Sequence, residues 1–299
     1  DQENMGYTFT PLHVDIARNS TDDFNLFHDK LKWQEVERNP FGGPILLGFQ
    51  LEMLIEGVIH QYRQEHQEET LIEDKGLNFS NYQFSFANAV KPNQNVEVQI
   101  KKSQLSEQDD NTVLSNRMVV KADGKLSLMG FKKESKQPLV LPDAELPDLT
   151  MLTPLTDREF LEGSDYFVKR KFMTTSNAKN FLCSSLQEQS DFINEVEGKA
   201  SFPEIFPCAL LSSALLEKAK AEDLDFKRDP LVYTSHKISI DRRQLQQLHS
   251  NDCIHILIRQ RPGDTAETEV ECYGVVNGEH LLYRALICLM PIQAPEETH

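Results

Sequence analysis

Three side chains that can act on water lie close together near the start of the chain: Asp23, Asn25 and His28. A carboxylate and an imidazole five residues apart can hold one water molecule between them, one accepting its proton while the other orients it. A glycine-rich segment, residues 41–48, then leads into an apolar helix. Because a helix N-terminus stabilises negative charge, the backbone N–H of Gly48 is a candidate donor to a carbonyl oxygen. These residues together indicate addition or removal of water beside a polarised carbonyl group.

The order Asp23-x-Asn25-x-x-His28, a glycine-rich turn and a helix that begins near Gly48 resembles the MaoC-like (hydratase 2) family. The resemblance implies a hotdog fold. It also implies the activity of an (R)-specific enoyl-thioester hydratase or of a 3-hydroxyacyl-thioester dehydratase. CoA or an acyl carrier protein would then be part of the substrate, and no separate cofactor or metal is implied.

Two positions depart from the usual loop of that family, Gly-Asp-x-Asn-Pro-x-His. Asp22 stands in place of the glycine, and Leu26 stands in place of the proline. By the resemblance, Asp23 and His28 share the water, and the sequence leaves open which of them is the base. Asn25 fixes the loop or binds the water. We expect Asp22 to face solvent, since neighbours in an extended loop point in opposite directions.

The chain reads as two copies of one unit, each with a helix followed by strands. An offset of 161 residues places Phe41 on Phe202 and residues 17–19 on residues 178–180. The apolar spacing of residues 51–62 predicts a buried amphipathic helix in the first copy. Alternating runs predict strands at 82–86, 96–100, 113–120, 126–131, 236–240, 253–258, 269–276 and 280–290. One helix followed by antiparallel strands is an α+β pattern.

With the resemblance, this pattern implies a double hotdog, in which two curved antiparallel sheets each wrap a central helix. The dipeptides Asp123-Gly124 and Asn277-Gly278, which favour tight hairpins, separate the last two strands of each copy. We predict an N-terminal hotdog at residues 1–131 and a proline-rich linker at 132–164. A C-terminal hotdog at 165–293 and a tail at 294–299 complete the predicted division.

The duplication predicts only one reactive loop. At the 161-residue offset, the counterparts of the three loop residues are Ser184, Leu186 and Gln189. None of these side chains can perform the same chemistry, so we expect the C-terminal copy to be a degenerate scaffold that gives room to an acyl chain. Sites in this family lie between two hotdog units, so one site per chain is expected. The protein would be a monomer or a homodimer of double hotdogs.

Charge and composition limit the partners. A net charge of −16 argues against nucleic acid and anionic membranes. No apolar run approaches the roughly 20 residues of a membrane span, and no signal peptide pattern opens the chain. The five cysteines, with no C-x-x-C pair among them, indicate reduced thiols, so we expect a cytoplasmic protein. Phosphates of a CoA carrier would need a local basic cluster, although ordinary surface charge explains each candidate more simply. The candidates are Lys169-Arg170-Lys171, Arg242-Arg243 and Lys101-Lys102.

Two alternative functions stay open. A thioesterase on the same general fold would hydrolyse an acyl thioester, but the Asp, Asn and His set argues against it. A non-enzymatic acyl-thioester binding protein would keep the fold without activity, and the altered positions Asp22 and Leu26 keep that reading open. No phosphate-binding loop or G-x-S-x-G motif is present in the sequence. Finally, His13-Val14-Asp15 alternates as in a strand, with its polar side expected to face water.

Overall fold

Each half of the chain combines helices with a run of antiparallel strands in the computed structural model, which describes residues 6–292. The first half contains β1 (Gly6–Tyr7), α1 (Pro11–Thr21), α2 (Gly48–Glu65), α3 (Glu68–Asp74), β2 (Phe79–Phe86), β3 (Val96–Ile100), β4 (Gln104–Gln108), β5 (Asn111–Ala122) and β6 (Lys125–Ser135). The second contains β7 (Glu159–Phe160), β8 (Phe167–Met173), α4 (Thr175–Ser184), β9 (Ile193–Asn194), β10 (Lys199–Ala200), α5 (Ile205–Ala209), α6 (Leu211–Ala221), β11 (Leu231–Asp241), α7 (Arg242–Gln246), β12 (Asp252–Gln260), β13 (Thr268–Val276) and β14 (His280–Pro291). The predicted tail at 294–299 lies outside the described residues.

One antiparallel sheet runs through both halves. Its strand order is β1-β3-β5-β6-β2-β11-β14-β13-β12-β8-β7, with β4 paired to β5 beside this path. The halves meet where β2 pairs with β11, for example at Phe84 opposite His236. Read outward from that junction, β6 corresponds to β14, β5 to β13 and β3 to β12. The α+β architecture with an internal repeat therefore agrees with the sequence prediction.

Helix α2 lies at the centre of the first half and is longer at both ends than the predicted 51–62. Its inward residues, among them Leu54, Ile55 and Ile59, are completely buried. The backbone is extended at Leu47 (φ −69°, ψ 141°) before the helix begins at Gly48. The Gln50 side chain caps this end of the helix by accepting the Leu47 N–H at 3.3 Å. This cap fixes the point at which the helix N-terminus is presented.

The corresponding helix of the second half is divided into α5 and α6. Leu210 joins them with φ −66° and ψ −16°, away from ideal α geometry. Along α6 the side chains of Leu215 and Leu216 are only half-buried. Both line the cavity that is described below.

Helix α1 corrects the strand predicted at His13-Val14-Asp15. Thr10 caps the helix by accepting the His13 N–H, and Pro11 occupies the first helical position, where a missing N–H is tolerated. Val14 and Ala17, three residues apart, are buried on one face. The strand prediction was wrong because three alternating residues do not distinguish a strand from the first turn of a helix. The cap at Thr10 marks the start of a helix. Helix α1 packs against α4, its counterpart in the second half.

The segment between β6 and β7, residues 136–158, lies across the outer face of the second half. Its apolar side chains pack against a buried cluster on that face that includes Tyr166, Leu257 and Tyr273. The contributing residues are Leu141, Ala144, Leu146, Leu149 and Leu152. Among residues 6–292, the helices are all too short or too polar to cross a membrane.

Candidate active site

The predicted reactive loop leaves helix α1 through a left-handed turn. Asp22 follows the helix with φ +52° and ψ +36°, a conformation that glycine adopts freely and aspartate tolerates better than most residues. The departure from the family glycine is thus compatible with the turn. The Asp22 carboxylate is 65% exposed and forms an ion pair with Lys171 of β8. Asp22 therefore faces solvent, as predicted, and also ties the loop to the second half.

Asn25 shapes the next part of the loop. Its side-chain oxygen accepts the Phe27 N–H at 3.1 Å and caps the 3-10 helix Leu26–His28. The Asn25 N–H in turn donates to Asp23 Oδ1 at 3.2 Å. Leu26 occupies the first position of this short helix, the place where proline is favoured for its backbone angle. The loop thus takes its shape from Asn25 without the family proline.

Asp23 and His28 face each other inside the protein. Their exposed fractions are 4% and 7%, and Asp23 Oδ2 lies 3.7 Å from His28 Nε2. His28 Nδ1 is 2.8 Å from the carbonyl oxygen of Ile45. Because a carbonyl only accepts, Nδ1 carries a proton, and Nε2 is then the acceptor of the neutral imidazole. The carboxylate and Nε2 are therefore two acceptors aimed at the same small space.

Gly48 begins helix α2, where the first N–H groups lack partners within the helix. A Cβ atom on Gly48 would lie 3.0 Å from Phe86 Cζ and 3.6 Å from Tyr233 Cδ2. A side chain would therefore crowd this wall, whereas glycine leaves the helix N-terminus accessible. The position suits a backbone donor to a ligand oxygen.

A cavity of about 420 Å³ brings the predicted residues together. Asp23, Asn25, His28 and Gly48 all line it. The opposite wall belongs to the second half and consists of one face of α6 with the adjoining strands. That wall includes Ser212, Leu215, Leu216, Ala219, Tyr233, Val270 and Leu289. The candidate site therefore lies between the two halves, with Asp23, Asn25 and His28 at the loop and a mostly apolar wall beyond.

Ser212 and Tyr233 are among the residues of this cavity that sequence reasoning missed. Ser212 Oγ and Tyr233 Oη are 2.6 Å apart, so a hydrogen bond joins α6 to β11 inside the site. Burial, with a smaller contribution from the Asp23 charge, raises the pKa of the Tyr233 phenol. The available signal was a serine in the otherwise apolar face of a helix, with leucines three and four residues later.

The three basic clusters lie outside the cavity lining. Lys169 pairs with Asp157 at 3.2 Å, and Arg243 pairs with Asp241 at 3.0 Å. Arg170 donates to a backbone carbonyl, and Lys101 and Lys102 are exposed. These contacts support the simpler reading as structural or surface charge. Within the described part of the chain, no group of His, Cys, Asp and Glu side chains is arranged to hold a metal ion.

The fold is similar to that of several solved structures. A MaoC-like dehydratase has a TM-score of 0.60 at 8% identity, with 97% of this chain and 96% of that chain covered. A putative MaoC domain protein dehydratase from Chloroflexus aurantiacus has 0.57 at 13%, covering 97% and 93%. A conserved hypothetical protein from Mycobacterium tuberculosis, described as a double hotdog, has 0.58 at 11%, covering 98% and 95%.

These similarities confirm the predicted α+β double hotdog. No family model and no curated protein matches the sequence. At such low identity the solved structures show the fold alone, so any chemistry must be argued from the site itself.

Proposed function

We propose that this protein adds water reversibly to trans-2-enoyl thioesters, and in reverse dehydrates (R)-3-hydroxyacyl thioesters, carried on CoA or an acyl carrier protein. The observation that carries the proposal is the pair of acceptors, Asp23 Oδ2 and His28 Nε2, set 3.7 Å apart in the wall of the cavity. A helix N-terminus at Gly48 lines the same cavity. The reaction needs a base for the water, an acid for C2 and a donor to the enolate oxygen. Asp23, His28 and the Gly48 N–H match these needs.

The two acceptors orient the attacking water. One water molecule can donate one proton to the Asp23 carboxylate and the other to His28 Nε2, which leaves an oxygen lone pair free for C3. As the C3–O bond forms, one of the two side chains takes a proton from the water. The electron pair of the C2–C3 double bond moves towards the thioester and gives an enolate. The protonated side chain then delivers this proton to C2, which completes the addition and restores the base, and dehydration follows the same steps backwards.

The helix N-terminus stabilises the enolate. Its negative charge develops on the thioester oxygen, and a backbone N–H at Gly48 donates to that oxygen without reorganising. The positive end of the α2 dipole acts in the same direction. Since the acid and the base are almost fully buried, these interactions are stronger than they would be in water.

The second half supplies the remaining wall of the site. Side chains of α6 and of the adjoining strands form an apolar surface suited to an acyl chain. Within the chain, the β2–β11 pairing already joins two hotdog units, which supports a monomer or a homodimer of double hotdogs. Solved structures of this fold that are named as dehydratases point to the same class of reaction.

The test is turnover of trans-2-enoyl thioesters. Purified protein is incubated with crotonyl-CoA, with a longer trans-2-enoyl-CoA and with crotonyl-acyl carrier protein, and loss of enoyl absorbance is followed. Wild type is expected to give the (R)-3-hydroxyacyl product. Asp23→Asn and His28→Ala should each lower kcat by at least about 10²-fold.

Asp22→Asn is the matched control, since it removes the neighbouring exposed carboxylate, and it should retain activity. Release of free thiol without hydration would identify a thioesterase and overturn the proposal. Failure to turn over any of the three substrates would favour a binding protein and would overturn it as well.

A further inference from the structure

Two hydroxyl groups from the second half lie in the cavity that Asp23 and His28 line. Ser212 of α6 and Tyr233 of β11 are joined by a hydrogen bond of 2.6 Å between their oxygens. Each hydroxyl carries one proton, and their mutual hydrogen bond uses only one of the two. Within residues 6–292 the pair makes no other side-chain hydrogen bond. One O–H group is therefore available to a ligand.

The phenol is held beside the start of helix α2. Its ring meets Phe49, the residue after Gly48, edge-on at 5.9 Å between centroids. It also contacts His236 edge-on at 4.3 Å. Its Cδ2 atom lies 3.6 Å from the point where a Cβ on Gly48 would stand. Packing on two sides thus fixes the ring against the helix N-terminus.

His236 is itself anchored. Its Nδ1 atom lies 2.9 Å from the Glu52 carboxylate of α2, and both side chains are completely buried. Its ring also stacks on Phe49 at 4.6 Å. The position of Tyr233 is therefore set from α2, the helix that also presents Gly48, so the phenol and the Gly48 N–H belong to one rigid arrangement.

We propose that Tyr233 donates a hydrogen bond to the thioester oxygen of the substrate, as a second donor beside the Gly48 N–H, and that Ser212 holds the phenol in place. The assignment rests on the proposed function, because it presupposes a thioester in this cavity. Each half would then contribute one donor to the same oxygen. Since burial raises the pKa of Tyr233, the phenol keeps its proton at neutral pH and acts as a donor, not as a base.

The experiment compares two unreactive ligands that differ at the carbonyl. Butyryl-CoA has the thioester oxygen, and the thioether S-butyl-CoA lacks it. Calorimetry gives the affinity of each for wild type and for Tyr233→Phe, which keeps the ring and removes the hydroxyl. Loss of a buried donor should weaken butyryl-CoA about tenfold and leave S-butyl-CoA within about twofold. Ser212→Ala should weaken butyryl-CoA alone by about threefold, and Tyr62→Phe, outside the cavity, should change neither.

Turnover separates a contact with the reacting oxygen from a structural role. Tyr233→Phe should lower kcat for crotonyl-CoA by about 10–10²-fold with little change in KM, since the donor acts most strongly on the enolate. Equal weakening of both ligands, or no weakening of either, would overturn the assignment of Tyr233. An unchanged Ser212→Ala variant would overturn the role of Ser212.

The two proposals can fail separately. If Tyr233→Phe removes the preference for the thioester but wild type hydrates no enoyl thioester, the Tyr233 contact stands and the hydratase proposal fails. If wild type hydrates crotonyl-CoA while Tyr233→Phe keeps the full preference, the hydratase proposal stands and the Tyr233 contact fails. If wild type binds neither ligand and turns over none, both fail.

Discussion

The two halves use the start of their central helix in opposite ways. In the first half, Gly48 opens helix α2 onto the cavity. In the second half, the helix start is filled by the Glu56 side chain of α2, whose carboxyl oxygens accept the N–H groups of Glu204 at 3.0 Å and Ile205 at 2.7 Å. A carboxyl group from the chain thus occupies the place that corresponds to our proposed site for a substrate oxygen. By our proposal, the helix start would bind the substrate oxygen in the first half, whereas in the second half it binds a side chain of the protein.

The loops that precede the two central helices also differ between the halves. A 3-10 helix follows α4, as one follows α1, but Glu188 caps it where Asn25 caps the first. The structural counterpart of Asn25 is therefore Glu188, and the predicted match with Leu186 is displaced. Gln187, beside this cap, packs closely against Gly57 of α2. The second loop is used for contact between the halves.

Buried charge also concentrates near the filled helix start. Glu134 is completely buried and lies 3.4 Å from Lys132 and 3.3 Å from Arg242, and it also pairs with Arg63. Lys132 reaches Glu204 at 2.9 Å. Variants at the first helix start should lose activity, whereas variants at the second should lose stability.

The largest effect is expected at Glu134. Replacing it by alanine leaves Arg63 buried without a carboxylate partner, which typically costs about 3–5 kcal/mol in unfolding free energy. Denaturant unfolding measures the change. Glu107→Ala, which removes an exposed ion pair with Lys75, is the control and should cost at most about 1 kcal/mol. Equal losses in the two variants would contradict a special role for the buried cluster.

Glu56→Ala tests the filled helix start directly. It leaves two buried N–H groups without an acceptor, so we expect a loss of about 2–3 kcal/mol in unfolding free energy. Turnover of enoyl thioester by the folded variant should stay within about twofold of wild type. Glu65→Ala, at an exposed position of the same helix, is the control and should change neither the unfolding free energy nor the turnover. A fall in kcat with stability unchanged would mean that the second helix start takes part in the reaction.

The pH dependence of stability at Glu56 has a defined sign. Burial, and then the neighbouring charge of Glu204, raise the pKa of Glu56 to about 8. Between about pH 5 and pH 8 the unfolded chain has lost this proton while the folded chain still binds it. The free energy of unfolding therefore falls as pH rises, by at most about 1.4 kcal/mol per pH unit. Unfolding curves across this range should show a shallower decline for Glu56→Gln, and parallel curves would contradict the raised pKa.

Local patterns predicted most of the fold. The periodic spacing at residues 51–62 identified the central helix, and the alternating runs identified β2, β3, β5, β6 and β11 to β14, because both follow from burial of one face. The strands β1, β4 and β7 to β10 were not predicted. The turns also hold: Asp123 and Gly124 have φ of +49° and +77°, and Asn277 and Gly278 have +50° and +74°. Helix α1 was missed because its signal is a cap, which three alternating residues concealed.

The site was predictable only where its residues are close in sequence. Asp23, Asn25 and His28 share one loop and therefore form a motif. Ser212 and Tyr233 reach the same cavity only through the pairing of β11 with β2, which no local pattern reveals. The filling of the second helix start was hidden for the same reason, since Glu56 comes from the other half. A single offset also fails, because loops and helices differ in length between the copies.

Gly57→Ala tests the contact between helix α2 and the second loop. A Cβ atom there would stand 1.6 Å from Gln187 Oε1, so Gly57→Ala displaces a side chain that packs between the halves. Helix propensity gains about 1 kcal/mol from the same change, and overpacking costs about 1–3 kcal/mol. We expect a net loss of about 1 kcal/mol in unfolding free energy. In a Gln187→Ala background the same substitution should stabilise, and a loss there too would place the clash elsewhere.

Asp22→Gly is expected to have the smallest effect and tests the departure from the family loop. The left-handed backbone at Asp22 suits glycine, while the exposed ion pair with Lys171 contributes little. The unfolding free energy should therefore change by no more than about 0.5 kcal/mol, and kcat should change by no more than about twofold. Asp22→Val is the counterpart, because a β-branched residue at φ +52° is strained by about 1–3 kcal/mol. It should displace Asp23 and lower kcat. If Asp22→Gly alone lowered kcat more than tenfold, the Asp22 carboxylate would belong to the chemistry, and solvent exposure would not describe its role.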